Sequence, residues 1–207
     1  MIVLSEKIKD DILNNILPKG APLRQVELSK RYGVSRIPIR DSLLALKAEG
    51  WLVPHGKAGL MVPNLHWKEA EELYLMRSQL EVLLLSFAFD FIRQTDVTKA
   101  RKILAALEQD ELSLIEKGNL NWLFHEILYQ PADKQSIHKT VSSINQQVTR
   151  YIGFQYGPMG YKSQSQQDHY ELLELIRLKK KSAALFLLKQ HIEEAGEELT
   201  RFLKSIN

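Results

Sequence analysis

Three histidines sit in apolar settings on separate stretches of the chain. In "NLNWLFHEIL", His125 neighbours Phe124, Ile127 and Leu128. In "DHYELLELI", His169 shares a helical stripe with Leu172, Leu173 and Ile176, and in "LFLLKQHIEEAGEEL", His191 shares one with Leu188, Ala195 and Leu199. Asn121 precedes His125 by one turn, so their side chains converge. A buried imidazole needs a hydrogen-bond partner, and a lone one is usually an ordinary core residue. Three on three inward faces can instead share a cation, because neutral imidazole suits Zn, Ni, Cu and Fe and three nitrogens leave positions open for water or a ligand. At the level of periodicity both readings stand. His55, His66 and His138 lack such a stripe and are expected at the surface.

A second chemistry lies in "GVSRIPIR", Gly33 to Arg40. Arg36 and Arg40 are four apart and share one helical face. Arginine contacts guanine through two parallel hydrogen bonds and binds phosphate strongly. Helix-start amides around Ser35 hold phosphate as well. Serine is a good N-cap, and Pro38 is tolerated in a first turn whose amides lack intrahelical partners.

Other chemistries drop out. The chain has no cysteine, which removes disulfides, thiolate metal sites and cysteine nucleophiles. It has no glycine-rich phosphate loop and no defensible Ser/His/Asp order. A metal-bound water on the three histidines is the remaining catalytic route, and no general base accompanies it.

Helices must position both groups. Ile8, Ile12, Leu13, Ile16 and Leu17 predict an amphipathic helix over about 4–16, broken by "LPKGAPL". "RQVELSKRY" predicts a second helix that ends at Gly33, and a third runs from Arg36 to about Glu49. Two helices on a tight glycine turn make a helix-turn-helix. "WLVPHGKAGLMV" reads as two short strands around Gly56 to Gly59, a wing. After the connector "PNLHW" come about six helices: 67–92, a segment from a Thr95 cap to Gly118, 120–130, 134–153, 164–180 and 182–205, with a loop holding Gly157, Pro158 and Gly160. The expected fold is mainly α, a winged helix-turn-helix over 1–63 and an all-helical bundle over 64–207.

Charge follows the same division. Residues 1–63 hold ten Lys/Arg against six Asp/Glu, a surplus of +4, whereas the whole 207-residue chain carries +3. A basic small domain beside a nearly neutral larger one suits a nucleic-acid reader with a partner domain. "MIVLSEKIKDDILNNIL" is too broken by charge for a signal peptide, and the run Val82 to Phe89 is too short to span a bilayer, so a cytoplasmic protein is expected.

"GVSRIPIRDSLLALKAEGWL" resembles the central pattern of the DNA-binding domain of the GntR superfamily of bacterial transcription regulators, and the resemblance extends over Ile16 to Val62. It places Ser35, Arg36, Pro38 and Arg40 at the start of the recognition helix and His55, Gly56 and Lys57 in the wing. Family members often carry Glu-Arg just before the second helix's "EL"; Gln25 and Val26 stand there, leaving Arg24 as the nearby arginine. The remainder resembles the effector domain of the FadR-like branch in its six-helix, VanR-type form. Arg77 and Glu81 match its opening helix, "NWLFHEIL" its "D..FH" pattern, and His169 and His191 its later histidines. The resemblance implies a divalent metal, Zn or Ni, held by Asn121, His125, His169 and His191, with Asn121 replacing the usual aspartate. It also implies a small carboxylate effector, for which Arg77 and Arg150 are the candidate anchors. A second departure is "RLKKKSAA", where an acidic turn residue is usual.

The reading is a homodimeric regulator that binds a short pseudo-palindromic stretch of double-stranded DNA and responds to a small molecule. The alternatives are the same regulator with a metal-free bundle that binds an apolar ligand or only dimerises, and a metal-dependent hydrolase.

Overall fold

The computed structural model describes residues 4–57, 59–156 and 162–206. The expected loop around Gly157, Pro158 and Gly160 lies outside the described residues.

Helix α1 (Leu4–Leu13) is followed by strand β1 (Pro22–Leu23), α2 (Gln25–Tyr32), α3 (Arg36–Ala48), β2 (Val53–His55) and β3 (Gly59–Met61). Helix α1 stops three residues earlier than its apolar spacing suggests. Asn15 takes φ 56°, Ile16 N–H bonds to the Asp11 carbonyl and Asn15 N–H to that of Ile12. These two bonds close the helix in a Schellman motif, with asparagine where glycine is more usual. Gly50 (φ 79°) ends α3 in the same way. The wing gains a third strand absent from the sequence reading: β1 pairs antiparallel with β3, in the order β1-β3-β2. Proline fits there because β1 is an edge strand, where a missing N–H leaves no gap in the ladder.

Helix α4 (Trp67–Ala88) opens the bundle after a connector, and α5 (Gln94–Leu107), α6 (Leu114–Tyr129), α7 (Gln135–Thr149), α8 (Ile152–Tyr156), α9 (Lys162–Arg177) and α10 (Lys181–Ile206) follow. Short 3-10 turns extend α4 and α6. The bundle thus has seven helices among the described residues, the extra one being the five-residue α8. The break expected at Gly118 falls earlier, at 108–113. Ser113 and Glu116 form a reciprocal capping box that starts α6, and Gly118 lies inside that helix. Glycine serves close approach there, since a Cβ would meet Thr149 Cγ2 at 2.9 Å.

Two apolar cores form. Ile8, Ile12, Ile39, Leu43, Leu46 and Trp51 centre the first, and Leu84, Leu85, Phe124, Leu128, Leu172 and Leu188 belong to the second. The first core also includes Ile115 of α6 and Ile152 of α8, so the bundle completes it. Asn119 Nδ2 donates to Glu6 Oε2 at 3.1 Å across the same contact.

Helices α4 and α10 approach closely at Gly196. A Cβ on Gly196 would stand 2.6 Å from Tyr74 Cβ and 2.7 Å from its Cγ. Gly196→Ala is therefore expected to force the two helices apart. Overpacking of this kind costs about 1–3 kcal/mol, which urea unfolding would register as a lower midpoint with an unchanged slope.

Candidate metal centre and nucleic-acid interface

The start of α3 is presented by a tied turn. Gly33 adopts φ 66°, ψ 30° and its N–H bonds to the Ser29 carbonyl, while Ser29 Oγ donates to the Val34 carbonyl at 2.5 Å. Glycine takes that backbone without the Cβ penalty other residues meet. Ile39 faces inward and is fully buried, leaving Ser35, Arg36, Ile37, Pro38 and Arg40 exposed. Ser35 occupies the N-cap position but its side chain makes no cap hydrogen bond, contrary to the capping role its type suggests. Among the described residues, Arg40 has a loose contact with Asp41, 3.9 Å away. A groove of about 350 Å³ separates α3 from the wing, lined by Arg40, Lys47 and Lys57 among others. Gly56 (φ 60°) turns the wing, with His55, Gly56 and Lys57 exposed. Arg24 is exposed at the N-cap of α2, 3.7 Å from Glu27. The predicted DNA-facing residues thus share the α3–wing side of the first domain, with Arg24 entering through α2. Ile37 was missed; its signal is an isoleucine set between two arginines at a helix start.

His125 on α6, His169 on α9 and His191 on α10 meet inside the bundle. Their candidate ligand nitrogens lie within 4.8 Å of one another. Ring centroids are 5.0 Å apart for His125–His169 and 4.8 Å for His169–His191. Phe124 packs 4.6 Å from His169 and 4.9 Å from His125, so the setting is apolar. Burial, then the neighbouring His191 and Arg77 charges, holds His125 well below the usual histidine range. The same causes, with His125 added, hold down His169. Both rings are neutral at physiological pH and keep a lone pair.

Hydrogen bonds fix which nitrogen carries it. Arg77 Nε donates to Glu81 Oε1 at 2.6 Å, and Tyr129 Oη donates to Glu81 Oε2 at 2.7 Å. Burial and then Glu81 push the Tyr129 hydroxyl well above its ordinary range, so it keeps its single proton. Since that proton goes to Glu81, the 3.3 Å contact with His125 requires Nδ1–H to donate to Tyr129. The lone pair then falls on Nε2, which is buried without a hydrogen-bond partner. His191 Nδ1 contacts Asp168 Oδ2 at 2.9 Å, so Nε2 is the ring nitrogen that the carboxylate does not engage. Both nitrogens of His169 are buried and unpartnered. Buried polar atoms left without partners carry a penalty of about 1–3 kcal/mol each, and a cation bound by three imidazoles removes it at His125 Nε2 and at one nitrogen of His169. The donor set is the one Zn and Ni accept, so the residues fit such an ion.

Asn121 is half-buried one turn before His125, outside the hydrogen bonds that orient the rings. Arg77 is buried against Glu81, with its guanidinium 5.0 Å from the Tyr74 ring. Arg150 Nη2 pairs with Glu69 Oε1 at 2.7 Å, and Tyr151 Oη donates to Glu69 Oε2, at the joint between α7 and α4. His138 is half-buried near Trp122, with Nε2 3.5 Å from Glu126, and not at the surface as expected. Asp168 and Tyr129 were missed. Asp168 adjoins a predicted ligand and Tyr129 follows His125 by one turn, which are weak signals alone.

Residues 3–62 match the model of the gntR family of bacterial regulatory proteins, and residues 72–194 match the FCD domain. The chain is 25% identical over 192 residues to the HTH-type transcriptional regulator YdhC of Bacillus subtilis (strain 168), covering 90% of this chain and 83% of that one. It is 26% identical over 190 residues to the Nta operon transcriptional regulator of Aminobacter aminovorans, covering 89% and 87%. A GntR family member from Pseudomonas syringae pv. tomato str. DC3000 superposes with TM-score 0.61 at 30% identity, covering 98% and 85%. Escherichia coli McbR/YncC shares the fold, with TM-score 0.76 at 19% identity, covering 97% and 99%. The Bacillus and Aminobacter relatives are transcription regulators, which goes against the hydrolase alternative.

The two depressed histidines make the metal-stripped protein acid-sensitive. Above the unfolded value near 6.5 neither state binds a proton at these rings, and stability is unaffected. Below it the unfolded chain takes up protons that the fold refuses. Stability then falls by roughly 1.4 kcal/mol per pH unit for each ring. Asp168, held below the ordinary carboxyl range, titrates outside this window. Thermal melting of chelator-treated protein is expected to show a Tm that drops between pH 6.5 and 5.5, with a shallower drop in His169→Gln. A level Tm would contradict neutral burial.

Proposed function

The chain belongs to the GntR family of bacterial regulatory proteins with an FCD domain, and from this we propose a homodimeric, operator-binding regulator switched by a small anionic ligand at the three-histidine site. The observation that carries the DNA side is the exposed start of α3, where two arginines and Ile37 project from a turn that Gly33 and Ser29 hold rigid. Helix-turn-helix proteins insert this end into the major groove. Arg36 and Arg40 supply contacts to guanine or phosphate, and Ile37, 73% exposed, suits the methyl group of thymine. Ser35, with its adjacent helix-start amides, and Pro38 sit against the backbone; His55, Gly56 and Lys57 follow it along the wing, and Arg24 reaches it from α2.

A dimer would bring two α3 helices onto successive turns of a short pseudo-palindrome. Helix α4 supports it. Met76, Leu83 and Phe87 are exposed at helical spacing, 40–42% each, with half-buried Leu80 between them. A continuous apolar stripe on a helix otherwise packed in a bundle marks an association face.

In the bundle, the orphaned ring nitrogens favour a bound divalent ion, Zn or Ni, over a metal-free core. Such an ion supplies a positive charge with coordination positions left open for a carboxylate. Arg77, whose charge reaches His125 and His169, is the candidate second attraction for that ligand, and Arg150 enters as part of the α4–α7 joint. Transmission to the reader has a direct route: α6 carries His125 and also Ile115 and Asn119, which touch the DNA-binding domain about 15 Å and about 9 Å away along the helix. Ligand binding that shifts α6 biases the reader's placement, as any switch must.

Arg40→Ala is expected to weaken binding to a DNA fragment that the wild-type protein selects from a random pool. The loss is about 1–3 kcal/mol if Arg40 reads a base, and an unshifted mobility-shift titration would remove that role. Leu83→Glu is expected to yield monomer in sedimentation velocity with an unchanged circular dichroism spectrum; a dimer that persists would move the interface elsewhere.

A further inference from the structure

We propose that Asp168 is the outer anchor of the metal site: it orients His191 and supplies the negative charge that Asn121 lacks. This rests on the metal reading above. A dication among three neutral rings is poorly compensated unless a carboxylate stands nearby. Two carboxylates contact the ring network of the described residues, Glu81 through Tyr129 and Asp168 directly. Glu81 is neutralised by Arg77, with Nε–Oε1 at 2.6 Å. Asp168 is buried, and among the described residues its hydrogen bonds are to the His191 ring and the Gln164 amide, with no arginine or lysine paired to it. Its negative charge is therefore the one directed at the rings.

The local geometry fits the anchoring role. Gln164, one turn earlier on α9, donates from Nε2 to Asp168 Oδ1 at 2.8 Å, leaving Oδ2 to face His191 Nδ1 at 2.9 Å. A carboxylate that accepts from one ring nitrogen fixes the tautomer, aims the other nitrogen and raises its basicity toward a metal. Asp168 is followed directly by His169, so α9 supplies one ligand and orients the ligand of α10. Asn121 offers no such contact and no charge. Asp168 is thus a positioning residue, and this chain has the carboxylate of its site on α9 instead of α6.

Competition of Zn against a fluorescent chelator, on the full chain freed of metal, tests this. Asp168→Asn is expected to lower Zn affinity by about 10–100-fold. Asn121→Ala should stay within about threefold, and Asp168→Glu should recover part of the loss, by the same comparison of outer-sphere effects. Nitrogen-detected NMR of the metal-free protein gives a second readout that simple packing would not move: His191 protonated at Nδ1 in the wild type, with that preference lost in Asp168→Asn. Asp168→Ser is read in the same way should the asparagine variant not fold. Wild-type binding with an unchanged Asp168→Asn affinity, or an Asn121→Ala loss as large as that of Asp168→Asn, overturns the assignment and leaves the metal reading intact. A wild-type protein that binds neither Zn nor Ni overturns both.

Discussion

Glu81 has no exposed surface, and a carboxylate in that position is sustained only by Arg77 and Tyr129 donating to its two oxygens. Burial alone would weaken the Arg77 charge, yet Glu81 outweighs it and holds the guanidinium firmly protonated. A buried pair of this kind is costly unless its remaining polar groups are also satisfied. Tyr129 completes it and passes the constraint to His125, whose ring has one orientation compatible with the chain of hydrogen bonds. The chemistry available at the bundle's centre therefore descends from an ion pair on α4, two helices removed in sequence from the imidazole it orients. Loss of either charge would strand the other in an apolar core, so the pair is under structural constraint whatever the histidines bind.

The same helix geometry connects the centre to the reader. Helix α6 enters the bundle through the first core, where Ile115 packs with Ile8 and Ile12, and reaches His125 after under three turns. Gly118 allows this course by letting α6 lie against Thr149 and Ile152. Gly153 does the same for α8, where a Cβ would approach the Leu13 carbonyl at 3.1 Å. The contact at Gly153 lets the α8 backbone approach that of α1 at the joint between domains. A joint made this way transmits displacement, because neither side has room to absorb it.

Most of the fold was legible because its signals are local. The 3.6-residue apolar spacing located every long helix, and Gly33 located the turn before α3. The errors share a physical cause. Asn15 takes a left-handed conformation as glycine does, so α1 closes without its usual marker. Gly118 reads as a helix end, yet close packing against Thr149 demands it mid-helix, and the better signal was the capping box at Ser113. Strand β1 exists only through its partner β3, 37 residues on, which no local pattern reveals. In the site, the three histidines were legible as inward faces of helices. Asp168 was not, since a helical aspartate before an inward residue ordinarily faces solvent; only the placement of α10 brings it to His191.

Local rules fail at both candidate sites. Natural sequences satisfy caps, burial and hydrogen bonding nearly everywhere and depart from them where function makes the competing demand. At the start of α3 a serine at the N-cap leaves its cap bond unmade and an isoleucine stays in water. Neither choice helps the isolated fold, and both gain a partner if a DNA groove covers that end. At the bundle's centre, ring nitrogens are buried without partners in a core that leucine would fill more favourably. A cation would engage one nitrogen of each ring as a groove would cover the start of α3. The two clusters lie at opposite ends of one mechanical connection, α6 and the core it shares with the reader, which is the arrangement a ligand-controlled reader requires.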